Sequence, residues 1–187
     1  MHDDASDLWK FAVALYGDDD VKAACLRIQA RYGLSISLLL GAIWIGVNGH
    51  GRLGATEWET TARRAMEWHR DVIEPIRALR RQLRLQPPAG VEAQTHELRH
   101  QLVEAELGAE RIEMRLLLQD LPRDLPVADD SERWRDAVIN AVLMVRKYCP
   151  RPEQEAIDAL VGIIHAASPA ISADELRLAI NQAWQVR

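Results

Sequence analysis

The sequence predicts an all-α protein, a helical bundle of about eight helices that contains a long antiparallel hairpin over about 57–84 and 91–119. Three observations carry this expectation. Apolar residues recur at helical spacing along nearly the whole chain. Residues that start and stop helices fall between the periodic stretches. Runs of β-branched residues long enough for strands are nearly absent from a chain that is 48% hydrophobic and 27% charged.

Taken in order, Ser6 is expected to cap a first helix running to Tyr16, with Leu8, Phe11 and Leu15 on one stripe and Gly17 as its stop. Asp18, Asp19 and Asp20 sit where a helix N-terminus welcomes negative charge, ahead of a second helix over about 20–32 that carries Val21, Ala24, Cys25 and Ile28 and ends at Gly33. Ser35 caps a third helix, Ile36–Val47, which is apolar on every face and is expected to be the most buried. At about 12 residues it falls short of the roughly 20 needed to cross a bilayer. Thr56 and Glu59 form a capping box for the first arm of the hairpin. Trp58, Ala62, Ala65, His69, Val72, Ile76, Leu79 and Leu83 then alternate at spacings of four and three.

After Pro87-Pro88-Ala89-Gly90 the alternation resumes with Val91, Thr95, Leu98, Leu102, Ala105, Ala109, Ile112 and Leu116. A loop centred near residue 87 sets Trp58 against Leu116, Ala65 against Ala109 and His69 against Ala105. Pro75 interrupts the first seam and is expected to kink it, since proline lacks the amide that would reach the carbonyl of Asp71. Val103, Leu107, Met114 and Leu117 form another face of the second arm, expected to pack on the bundle. Residues 120–130 read as a loop. Three helices follow: one after Ser131, one over about 153–167, and a last one opened by Ser172 and Glu175. The domain organisation is thus a helical domain over 1–121, with 131–187 completing the same bundle.

Composition narrows function mainly by exclusion. The net charge of −5 argues against a surface devoted to nucleic acid. Residues 1–88 hold 12 basic and 11 acidic side chains, whereas 89–187 hold 11 and 17, so any basic patch is local. Cys25 and Cys149 lack CxxC spacing and read as small buried hydrophobes in a reducing compartment. Met1–Asp7 carries three aspartates and no basic stretch, unlike a secretory leader, and the expected location is cytoplasmic. Glu97-Leu98-Arg99-His100 is half of a di-iron motif whose second half is missing, and no phosphate-loop, nucleophile-elbow or zinc-helix motif occurs. No metal and no cofactor is expected.

The sharpest polar feature is Arg77, Arg80, Arg81 and Arg84, four arginines in eight residues with only Glu74 close by. Guanidinium groups grip phosphate and carboxylate, so this cluster is the candidate binding surface, expected to be exposed rather than locked in four buried pairs. The competing expectation is a helix end whose arginines suit its dipole and pair with Glu92 or Glu97. His69, on the apolar seam, reads as a histidine satisfied inside the hairpin.

Leu8-Trp9, Phe11-Ala12, Leu15-Tyr16, Cys25-Leu26, Gln29, Gly33, Leu39-Leu40, Trp44, Trp68 and Pro75-Ile76-Arg77-Ala78-Leu79-Arg80-Arg81 together resemble an uncharacterised bacterial family of short helical proteins, a domain of unknown function. The resemblance is specific over about 8–84 and thins through the second hairpin arm. It implies a bacterial origin and adds Gln29, Trp44 and Trp68 to the candidate binding residues, but implies no activity. At Ile76 the family more often has leucine. Three functions remain open. The first is a non-enzymatic helical interaction or adaptor protein, with an unknown protein partner or as a homo-oligomer, and without a membrane. The second is a small-molecule enzyme or anion-binding protein using the arginines. The third is an accessory protein on RNA or DNA backbone.

Overall fold

The structure is a computed structural model that describes residues 4–185; residues 1–3, the first part of the acidic Met1–Asp7 stretch, lie outside them, as do 186 and 187. In chain order the helices are α1 (Asp4–Tyr16), α2 (Asp19–Tyr32), α3 (Ile36–Val47), α4 (Ala55–Trp68), a π-helical turn (His69–Ile73), α5 (Glu74–Leu85), α6 (Glu92–Gln119), α7 (Arg133–Arg146), α8 (Gln154–Ala167) and α9 (Ala173–Gln185). With α4, the π-turn and α5 counted as one continuous rod, the described residues hold eight helices and no strand. The fold is all-α.

Local chemistry sets most boundaries. The Asp18 carboxylate accepts from the amides of Asp20 and Val21, Ser35 Oγ accepts from Leu38 N, and Ser172 and Glu175 close a capping box. Gly33 ends α2 at φ +68°, in the left-handed region that suits glycine. Two expected starts are corrected. Helix α1 begins before Ser6, at Asp4. Helix α4 begins after Gly54 with no side-chain cap, so Thr56 and Glu59 form no box.

Helix α3 is the hub, with every residue from Ser37 to Gly46 buried. It packs most extensively on α7 and also on α1, α6 and α8. One apolar cluster runs from Leu8 in α1 to Trp184 in α9 and takes buried residues from α7, α8 and α9 but none from α5. Helix α6 lies along both halves of the 55–85 rod, forming the hairpin. No helix among the described residues is long and apolar enough to cross a membrane.

The hairpin departs from the expected register and phase. Thr61 reaches the carbonyl of Asp120, Trp68 that of Ala109, and His69 meets Glu113. Partners therefore lie one to two turns further along α6 than expected. The turn is centred later, between Leu85 and Glu92, and in antiparallel helices side chains leaning toward their own N-termini advance the contacts further.

Phase changes at the π-turn. There the Glu74 amide bonds to His69 O, five residues back, which inserts one residue where Pro75 has no amide to give. The turn stands next to Pro75, where the helix was expected to kink. One extra residue rotates the remainder of the rod by about 100°. Trp58, Ala62 and Ala65 face inward before it; Ile73 does so at its end and Arg77 after it, while Leu79 is left 45% exposed. On α6 the buried stripe is Thr95, Glu106, Ala109, Glu113 and Leu117, and Val91, Leu98 and Ile112 are exposed. The distal hairpin thus turns charge inward and part of its apolar seam outward.

Candidate functional site

Four carboxylates, two arginines and one histidine meet where α5, the π-turn and α6 face each other. Arg77, only 6% exposed, donates from Nε to Glu106 Oε1 at 2.8 Å, from Nη1 to Glu74 Oε1 at 3.2 Å and from Nη2 to Glu110 Oε1 at 3.1 Å. Arg80 Nε donates to the other Glu106 oxygen at 2.6 Å. Glu106 thereby bridges two guanidinium groups.

His69 sits between Glu74 (Nε2 to Oε1, 3.1 Å) and fully buried Glu113 (Nδ1 to Oε1, 3.0 Å), the latter a charge contact rather than an aligned hydrogen bond. Ser35 Oγ donates to Glu113 at 3.1 Å while capping α3, tying the cluster to the hub. Burial alone would lower the His69 pKa, but Glu113 and Glu74 outweigh it and hold the imidazole above its ordinary value. For Glu106, burial opposes ionisation, yet hydrogen bonds and charge from Arg80 and Arg77 keep the carboxyl below its usual range. For Glu110, burial dominates and, with Glu106 and Glu113 nearby, pushes the carboxyl up to about 7 despite Arg77.

Beside this cluster opens a groove of about 850 Å³, within the size range of small-molecule sites. It exists because α5 packs extensively only on α6 and the π-turn, whereas α6 also packs on α1 and α3. Space over α6 is left between α5 and the α1–α3 body. All four arginines of α5 line it; α6 contributes Val103, Leu107 and Met114, and the body contributes Trp9, Val13, Leu26, Ile36 and Leu40. Gln29, Tyr16 and Lys22 add polar groups.

Of the expected binding residues, Arg77, Arg80, Arg81, Arg84 and Gln29 come together here. The cluster is not uniform, however. The cluster was expected to be exposed rather than locked in four buried pairs; Arg77 departs from this, buried in ion pairs, and Arg80 is paired, whereas among the described residues Arg81 and Arg84 are exposed and make no ion pair or hydrogen bond. The partners are Glu74, Glu106 and Glu110, not Glu92 or Glu97. Trp44 lies elsewhere, 3% exposed in the core and stacked on His50 at 4.6 Å. Trp68 is a hairpin strut whose indole donates to Ala109 O at 2.9 Å. Neither lines the groove.

Sequence reasoning missed Glu106, Glu110 and Glu113. Their spacing of four and three, on one face of a helix opposite an arginine cluster, was the available signal. It also missed Trp9, whose ring stacks under the Arg111 guanidinium at 4.4 Å on the groove wall. Val103 and Leu107, expected to pack on the bundle, line the groove and stay 38% exposed.

No curated protein and no solved structure matches the chain. A family model, described as protein of unknown function (DUF2390), matches residues 7–117. The match extends past the 8–84 stretch of the resemblance to cover nearly all of α6. Every residue lining the groove, from Trp9 to Met114, falls inside it, while α7, α8 and α9 fall outside. The chain belongs to the DUF2390 family of proteins of unknown function.

Proposed function

We propose that this chain is a non-enzymatic binding protein whose groove between α5 and the α1–α3 body takes a small anionic ligand. The observation that carries the reading is the division of the arginines: Arg77 and Arg80 are consumed by Glu106, whereas Arg81 and Arg84 line the same groove without a partner. Two unpaired guanidinium groups beside apolar walls supply the few convergent polar groups and the dry surface that small-molecule sites combine.

A second reading, self-association, is favoured by the exposed seam on α6. Val91, Leu98 and Ile112 recur there every seven residues with Ala105. Gln94, Gln101 and Gly108 on the same stripe carry no charge, and the first charge along it is Arg115 at its far end. Native mass spectrometry of the purified chain tests both. A small-molecule adduct is expected on the wild type and lost from the Arg81→Gln/Arg84→Gln variant; no adduct, or the same adduct on both proteins, overturns the ligand reading. A two-chain mass that Leu98→Glu/Ile112→Glu converts to one chain supports self-association, and a single chain for the wild type overturns it.

A further inference from the structure

The groove is two-sided in chemistry, and one of its wall groups is out of place. Its apolar lining, Trp9, Val13, Leu26, Leu40, Val103 and Leu107, suits a hydrocarbon rather than a compact hydrophilic anion. Among the four clustered carboxylates, Glu106 bridges Arg77 and Arg80, Glu113 holds His69 and Ser35, and Glu74 holds His69 and Arg77. Glu110 has a single bond, to Arg77 Nη2, and its side chain, 22% exposed, lines the groove.

With all groups ionised, four carboxylates face two guanidinium groups and one imidazole. The cluster therefore carries an excess negative charge, and Glu110 is its least engaged member. Resting on the ligand-groove reading above, we infer that the ligand is a single-chain amphiphile whose anionic head lies at Arg81 and Arg84, and that Glu110 takes up a proton when it binds.

The charges around Glu110 favour this linkage. From α6 it faces Glu106 and Glu113, and from α5 and the π-turn Arg77 and His69. Across the groove stand Tyr16 on α1 and Lys22 on α2, while α3 brings only the neutral Ser37. Burial and the two neighbouring carboxylates already hold Glu110 at about 7. A second anion in the groove adds repulsion to the charged form and none to the neutral one. Because binding prefers the protonated state, affinity is highest below about 7 and declines by up to about tenfold per pH unit above it.

Isothermal titration with decanesulfonate, whose head stays ionised so that any proton must be taken up by the protein, tests the inference in two buffers of different ionisation enthalpy. At pH 8, uptake approaching one proton is expected. At pH 8 Glu110→Gln is expected to take up markedly less than the wild type, what remains belonging to His69; Glu110→Gln combined with His69→Gln is expected to bind without uptake and with an affinity that no longer changes between pH 6 and 8, and uptake by Glu110→Gln equal to that of the wild type overturns the assignment to Glu110. Sulfate alone and decanol alone are expected to bind at least tenfold more weakly. Binding of decanesulfonate without proton uptake overturns the linkage, and sulfate or decanol binding as tightly as decanesulfonate overturns the amphiphile. If none of the three probes binds, the ligand groove itself fails rather than its coupling to Glu110.

Discussion

Replacing Glu106 with alanine is expected to destabilise the fold by about 3 kcal/mol or more, one of the largest losses available to any polar residue of the hairpin. The reason lies with its partners. Arg77 is 6% exposed and receives its shortest contact, 2.8 Å, from Glu106, which at the same time holds Arg80 at 2.6 Å. Removing the bridge leaves a buried guanidinium that Glu74 and Glu110 compensate only in part, and a buried unpaired charge costs far more than a surface pair gains. Exposed and unpaired Arg81, by contrast, should change stability by no more than about 0.5 kcal/mol when replaced with alanine. Urea denaturation reads both. Arg77→Met combined with Glu106→Leu is expected to lose less than Glu106→Ala alone, because it removes the charge as well as its partner. The Glu106 contribution should be present above the ordinary carboxylate range and fade as pH falls through its lowered value. A loss below about 1 kcal/mol for Glu106→Ala would mean that water or the other carboxylates already satisfy Arg77.

A comparable loss is expected from Gly46→Ala, although it adds one methyl group. A Cβ at Gly46 would stand 2.1 Å from the Ala137 amide nitrogen and 2.4 Å from its Cα, so the backbones of α3 and α7 would have to separate. That pairing is the most extensive helix contact in the molecule. Forced overpacking costs about 1–3 kcal/mol where side chains can yield, and here the obstacle is backbone, which places Gly46→Ala at or beyond the upper end. Two glycines give the contrast. At Gly41 the methyl meets side chains rather than backbone, Leu117 at 2.6 Å and Leu8 at 3.8 Å, and at Gly108 it meets open space. Gly108→Ala should therefore stabilise α6 by about 0.5–1 kcal/mol. Thermal melts in which Gly46→Ala and Gly108→Ala behave alike would contradict the close packing of α3 on α7.

Much of the framework could be read from residues. Asp18, Gly33, Ser35 and the Ser172–Glu175 box mark helix ends because their side chains or backbone freedom act locally, within three residues. The burial of α3 is dictated by a stretch with no polar face. The phase of the hairpin was less legible. Pro75 announced a disturbance, but not that it would take the form of a one-residue π insertion.

That single residue decides which side of α5 faces α6. It turned Arg77 inward and Leu79 outward, so the arginines that looked like one patch became two structural and two free groups. The glutamates opposite were hidden for a related reason. A pattern of apolar residues passes over Glu106 and Glu113, which occupy seam positions that apolar side chains usually fill. Trp44 and Trp68 entered the candidate set through the family resemblance, yet one fills the core and the other braces the hairpin.

The central claim is that the groove beside α5, and not the outer face of the hairpin, receives the ligand through Arg81 and Arg84. A crystal structure of the chain grown with decanesulfonate tests it most directly. The sulfonate is expected within hydrogen-bonding distance of the Arg81 and Arg84 guanidinium groups, with the hydrocarbon lying along Trp9, Leu26 and Val103. A decanesulfonate seated instead on Leu79, Leu98 and Ile112, with the groove free of it, would contradict the claim.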